Sequence, residues 1–129
     1  MKVSKVDFIG IPVRDLALTE EFYSGTLGLE KNPNSGERWV EYEIGGLTLA
    51  LISPAAMGPD FVVEPHSMPI ALHVDDVEAA RRELEAKGVD FGHATIDSGV
   101  CHIASFKDPD GNSLQLHHRY APFTDGTKP

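Results

Sequence analysis

The stretch IALHVDDVEAARRELEAKGV, residues 70–89, decides the fold because an earlier copy of it stands 61 positions back. Residues 9–29 read IGIPVRDLALTEEFYSGTLGL, so that Ile9 falls on Ile70, Ile11 on Leu72, Val13 on Val74, Asp15 on Asp76 and Leu16 on Val77. Each copy shows a short alternating apolar run, an acidic residue, and a helical pattern closed by glycine and an apolar residue. With only two copies in the chain, this is a duplicated supersecondary unit and not a solenoid.

Working outward, residues 5–13 alternate as a strand with one buried face does. Asp15 is placed to cap a helix from Leu16 to Leu27, and Gly28 suits the left-handed position beyond it. The segment KNPNSGER is turn chemistry, expected to be exposed, and RWVEYEIGGLTLALIS reads as a hairpin about Gly45-Gly46. In the second copy, Ile70–Val74 is a strand. Asp76 caps a helix through Lys87, with Val77, Ala80, the Arg81 stem and Leu84 as its buried stripe. Glu78 and Arg82 are spaced to pair on the exposed side. A strand near residues 90–96, a strand over 100–106, a DPDGN turn and a strand over 113–119 complete it. The order is βαβββ twice, with one strand of the first copy faint in residues 30–37.

The expected architecture is therefore α+β: one domain over residues 1–120, made of module 1 (5–53) and module 2 (69–119). A proline-punctuated linker (54–68) joins them, and the tail (121–129) is polar and loosely ordered. The strands are expected to curl into an open cup with the helices on its convex side, a natural place for a small ligand.

Size and charge narrow the function. A chain of 129 residues holds one core and not two large ones. A formal net charge of −9 argues against a nucleic-acid surface and against attraction to anionic lipid. The single cysteine, Cys101, forbids an internal disulfide. Neither a signal core nor an apolar run of membrane-spanning length is visible, and the expectation is a cytoplasmic protein.

The segments VRDLALTEEFYSGTLGLE, VDDVEAARRELEAKGV and KDPDGNSLQL carry a family resemblance over nearly the whole chain, Val6 to His118. The chain resembles the vicinal oxygen chelate superfamily, which includes glyoxalase I, extradiol dioxygenases, fosfomycin-resistance enzymes and bleomycin-resistance proteins. That resemblance implies the duplicated fold, a homodimer, and four metal-ligating places, one on each of four strands. Carried onto this sequence, those places are Phe8, Ala50, Pro69 and Gln115. Metal-dependent relatives carry His, Glu or Gln there. Phenylalanine, alanine and proline side chains offer no lone pair, and one glutamine cannot hold a divalent ion. The expectation is a protein with no metal at this centre and no cofactor. It sets aside ordinary glyoxalase I, extradiol dioxygenase and fosfomycin-transferase chemistry.

Strand alternation supplies a second set of candidates. If Phe8 faces inward, so do Gly10 and Pro12; if Pro69 does, so do Ala71 and His73. Gln115 brings His117 with it, and pairing across the DPDGN turn adds Ala104 and His102. Ala50 brings Thr48, Glu43 and Glu41, with Trp39 at the rim. The expected ligand-binding residues are thus Phe8, Trp39, Glu41, Glu43, His73, His102, Gln115 and His117. Cys101 and His118 are expected on the other face, Cys101 as an inert buried thiol. His66 and His93 lie in connections, and Asp108 and Asp110 belong to a turn.

The favoured function is stoichiometric capture of a small organic molecule, cationic or aromatic, as in the bleomycin-resistance and antibiotic-sequestering branch. The alternative is an enzyme of the same fold, a lyase, isomerase or dioxygenase, using a displaced metal or a His/Glu acid–base pair. A third is an accessory subunit that binds nothing. No nucleic-acid or membrane partner is expected.

Overall fold

Both copies of the repeat begin as a strand that leads into a helix capped by an aspartate. The computed structural model describes residues 1–129, which divide into two units, Met1–His66 and Ser67–Pro129. In the first unit β1 (Phe8–Pro12) is followed by α1 (Leu16–Glu20), β2 (Trp39–Ile44), β3 (Leu47–Ile52) and a short α2 (Pro54–Met57). In the second, β4 (Ile70–His73) precedes α3 (Val77–Ala86), β5 (Ile96–Asp97), β6 (Cys101–Lys107) and β7 (Ser113–Arg119).

Both sheets share one topology. The first strand of each unit runs parallel to the last, giving the orders β1-β3-β2 and β4-β7-β6-β5. The faint strand of unit 1 is reduced to a single bridge between Lys31 and Tyr42. Its counterpart β5 is also shorter than expected, because the Asp90 carboxylate accepts the Gly92 N–H at 2.9 Å and turns the chain there. Phe91 is buried at that turn, with its ring 5.2 Å from Phe106.

The helices show where the copies part. Asp15 accepts from the Leu18 N–H at 3.2 Å and Asp76 from the Ala79 N–H at 2.9 Å, so both caps form as the sequence predicts. Helix α3 then runs regularly to Ala86. The expected regular helix from Leu16 to Leu27 instead changes hand-hold at Glu21 and continues as a π-helical segment, Glu21–Thr26. The Leu27 N–H reaches back five residues to the Phe22 carbonyl at 2.9 Å.

The reason lies in the spacing of the repeat. Tyr23 and Leu84, both buried, keep the offset of 61, whereas Gly28 and Gly88, both at positive φ, stand 60 apart. The first helix therefore contains one extra residue, and a π turn absorbs one residue without breaking the helix.

Each helix covers one face of its own sheet. In unit 1 Tyr23 stacks on Tyr42 at 6.0 Å, above a layer of Ile11, Val40, Leu49 and Leu51. In unit 2 Val77 and Leu84 of α3 join Ala104, Phe106, Leu114 and Leu116 in the core. The expected Glu78–Arg82 pair does not form: Arg81 pairs with Glu85 at 2.8 Å and Lys87 with Glu83 at 3.4 Å. In the tail, Arg119 lies over the Phe123 ring at 4.9 Å. No helix is long and apolar enough to cross a membrane.

Candidate functional site

The two-residue turn at Gly45-Gly46, with φ of +56° and +85°, fixes the register of unit 1. Glu41 stands opposite Ala50 and Glu43 opposite Thr48, while Phe8 pairs with Thr48 and Gly10 with Ala50. Since Val40 and Tyr42 face the helix, Phe8, Trp39, Glu41, Glu43, Thr48 and Ala50 share the opposite face. The register expected from the sequence is the one found in this unit.

On that face the Phe8 and Trp39 rings meet edge to face at 5.4 Å, inclined by 72°. The row between their register positions carries the small residues Gly10 and Ala50, with Glu41 next to Ala50. A side chain at Gly10 would bring its Cβ within 2.9 Å of the Ile52 side chain, so the glycine lets neighbouring groups lie across β1. The Trp39 indole N–H donates to a Glu41 carboxylate oxygen at 2.7 Å, and the Asn32 amide donates to Glu43 at 2.6 Å. Phe8 is 49% exposed, a large apolar ring left in water beside two anchored carboxylates. Asn32 and Ser35, whose hydroxyl accepts the Glu41 backbone N–H at 3.0 Å, were not among the expected site residues. In the sequence they carry only turn chemistry, and nothing local says that they reach a strand.

Unit 2 departs from the expected register. The DPDGN turn leaves five residues between the paired Lys107 and Ser113, an odd number. Asp108 closes it by accepting the N–H groups of Asp110 and Asn112 and the Asn112 side-chain amide, at 2.8–2.9 Å. Gln115 therefore stands opposite Ser105, and His117 opposite Ile103 and His73. His102 and Ala104 pair with His118 and Leu116 and point to the helix side, not to the face of Gln115 and His117. The expectation for Cys101 and His118 reverses for the same reason. His118 places Nδ1 3.1 Å from the Val74 carbonyl, and Cys101, though buried as expected, holds its sulfur 3.0 Å from the Ser98 hydroxyl. His73 is exposed, with Nε2 3.5 Å from Asp75 and its ring 5.7 Å from His118.

These positions test the fit of a family metal. Phe8 puts its ring against Trp39, Ala50 is a buried methyl between Gly10 and Glu41, and Pro69 precedes β4. Gln115 is the one donor among the four. No group of three or more His, Cys, Asp or Glu side chains is arranged to hold an ion. The residues do not fit the metal, and no step of chemistry is derived through one.

A strand–helix–strand unit used twice, with an aromatic and carboxylate face on one copy, defines an α+β protein of paired modules. The chain belongs to the Glyoxalase/Bleomycin resistance protein/Dioxygenase superfamily, whose family model matches residues 5–116. Solved structures agree on the fold. A lactoylglutathione lyase from Agrobacterium tumefaciens is similar with a TM-score of 0.75 at 20% identity, over 91% of this chain and 95% of that one. An antibiotic binding protein from Streptomyces sp. CB03234 is similar with a TM-score of 0.73 at 27% identity, over 92% and 98%. A glyoxalase/bleomycin resistance protein/dioxygenase from Nocardioides gives 0.74 at 18% identity, over 100% and 89%. Among curated proteins none matches the sequence.

Proposed function

We propose that this protein is a metal-free member of the superfamily that captures a small organic molecule, cationic or aromatic, without transforming it. One observation carries the reading: where metal-dependent relatives place a ligand, this chain places the Phe8 ring, half-exposed and edge-on to Trp39. Two rings present flat apolar area at little conformational cost, and Glu41 and Glu43 add a negative field that favours a cationic guest. Likeness to the antibiotic binding protein from Streptomyces supports a small-molecule ligand.

The enzyme alternative has less support. The three imidazoles of a displaced metal centre in unit 2 are divided between two faces, with His73 and His117 in register and His102 on the other side. The fold shared with a lactoylglutathione lyase, at 20% identity, carries no chemistry with it.

Trp39 is the only tryptophan, so its fluorescence reports this face alone. Titration with ethidium, a planar cation, and with bleomycin, a cationic glycopeptide, is expected to quench it saturably and to raise the melting temperature by mass action. Phe8→Ala is expected to weaken binding roughly fivefold, in line with an aromatic contact worth about 1 kcal/mol. Binding that disappears on chelation and returns with a divalent metal would sink the metal-free reading.

A further inference from the structure

Unit 2 holds an open cleft of about 540 Å³ on the helix side of its sheet, beside the first turn of α3. It lies on the face opposite Gln115 and His117; of the ligand-binding residues expected from the sequence it holds only His102, and none of Phe8, Trp39, Glu41 and Glu43. Rings form much of its wall. His102 and Tyr120 lie 5.0 Å apart, inclined by 46°, and His118 stands beside them with Val77 as an apolar floor. This pair is held by Asp97, which accepts the Tyr120 hydroxyl at 2.7 Å and the Gly99 N–H at 2.9 Å, with its second oxygen 3.6 Å from His102 Nε2. A carbonyl can only accept, so His118 donates Nδ1–H to Val74 and is fixed in orientation.

Three properties choose the occupant. Volume comes first: the space is that of a small organic molecule and far exceeds a bare ion, for which no set of three ligands is arranged. Charge comes second. Asp75, Asp76, Glu78 and Asp97 supply carboxylates while no lysine or arginine lines the wall, so an anion is repelled despite the helix N-terminus. The chemistry of the wall comes third, because ring faces beside carboxylates suit a cation that sheds its water easily.

Glu78 matters most among the acids. Asp76 is engaged in capping α3, Asp97 in holding Tyr120, and Asp75 lies near His73. Glu78 has no partner, since Arg82 does not reach it, and its charge is available to a guest.

We infer that this cleft is a second ligand site, built for an organic ammonium ion, with His102 and Tyr120 as its wall and Glu78 as its counter-ion. It is independent of capture at the Phe8–Trp39 face, and the two can be followed in one experiment. The probe is choline, added to the full-length protein labelled with ¹⁵N, with amide and indole signals recorded through the titration. The neutral isostere 3,3-dimethyl-1-butanol is titrated in parallel.

Choline is expected to move the Gly99 and Tyr120 amides saturably, at concentrations below any that move the Trp39 indole signal. The neutral alcohol is expected to bind at least about fivefold more weakly, as a cation–π contribution of the usual size requires. Glu78→Gln is expected to weaken choline roughly threefold, the share of one exposed charge. Tyr120→Ala is expected to weaken it further with the signal dispersion of a folded protein retained. The inference is overturned if the shifts stay linear in choline, if the alcohol binds as well as the cation, or if Glu78→Gln changes nothing. Shifts confined to Trp39 also overturn it and assign the cation to the other face.

Discussion

Set side by side, the two units answer one problem of packing in two ways. Unit 2 fills the space under its helix with apolar side chains that carry no hydroxyl, Val77 and Leu84 against Leu114, Leu116 and Phe106, and its helix is a regular ten-residue α-helix. Unit 1 fills the equivalent space with Tyr23 and Tyr42, and its helix carries an extra residue as a π turn. The two differences belong together. A tyrosine pair is larger than a leucine and must also satisfy hydroxyls. Ser24, inside the π segment, lies 2.9 Å from the Tyr42 hydroxyl, which also reaches the Glu20 carbonyl at 3.5 Å. The comparison teaches that a duplicated module tolerates an added residue when the altered turn finds partners in its own core.

The sharpest way to break this comparison is to remove the side chains at the repeat-related positions. Tyr23→Ala is expected to cost about 4 kcal/mol and Leu84→Ala about 3 kcal/mol, as buried large-to-small changes do. Chemical denaturation measures both. A loss under about 1 kcal/mol for Tyr23→Ala would show that the tyrosine layer is not the core of unit 1.

Deleting Gly25 sharpens the reading of the extra residue. With it gone the offset before the deletion falls from 61 to the 60 already found at Gly28 and Gly88, and the first helix can close as a regular one like α3. The expected outcome is a folded protein that loses about 1–2 kcal/mol, within the ordinary range of single changes. Loss of all cooperative unfolding would mean that the π turn is required by the fold and is not a tolerated insertion.

The smallest effect concerns the Tyr42 hydroxyl. Burial raises its pKa above the ordinary 10.0, with the Ser24 hydrogen bond opposing the rise. In the unfolded chain the phenol ionises near its ordinary value, while the folded protein holds it neutral to higher pH. The stabilisation is therefore full below about pH 10 and is lost as pH climbs through the raised folded value. Tyr42→Phe is expected to cost about 1 kcal/mol at neutral pH for the lost hydrogen bonds and to make that alkaline decline shallower. A variant that declines in step with the parent above pH 10 assigns the decline to another group.

Much of the fold was legible before any coordinates. The offset between Asp15 and Asp76 marked both capped helices, since a cap is a local device that needs only its own three neighbours. Gly45-Gly46 marked a two-residue hairpin, and with it the common face of Phe8, Glu41, Glu43 and Ala50. The donor-free chemistry of Phe8, Ala50 and Pro69 could also be read directly, because an absent lone pair is a property of composition. Less legible was anything set by the count of residues in a longer turn. One residue of difference in the DPDGN loop moved His102 from the face of Gln115 to the face of His118.

The sequence by itself determined the duplicated α+β unit, the caps and turns, and the chemical character of each candidate position. Tertiary structure alone decided which histidines meet, that Asn32 reaches Glu43, that Arg82 leaves Glu78 free, and that an extra helical residue is taken up beneath Tyr42. The physical reason is range. Periodicity and capping act within a few residues, whereas register and long side-chain contacts join groups far apart in the chain, and small local choices of turn length settle them.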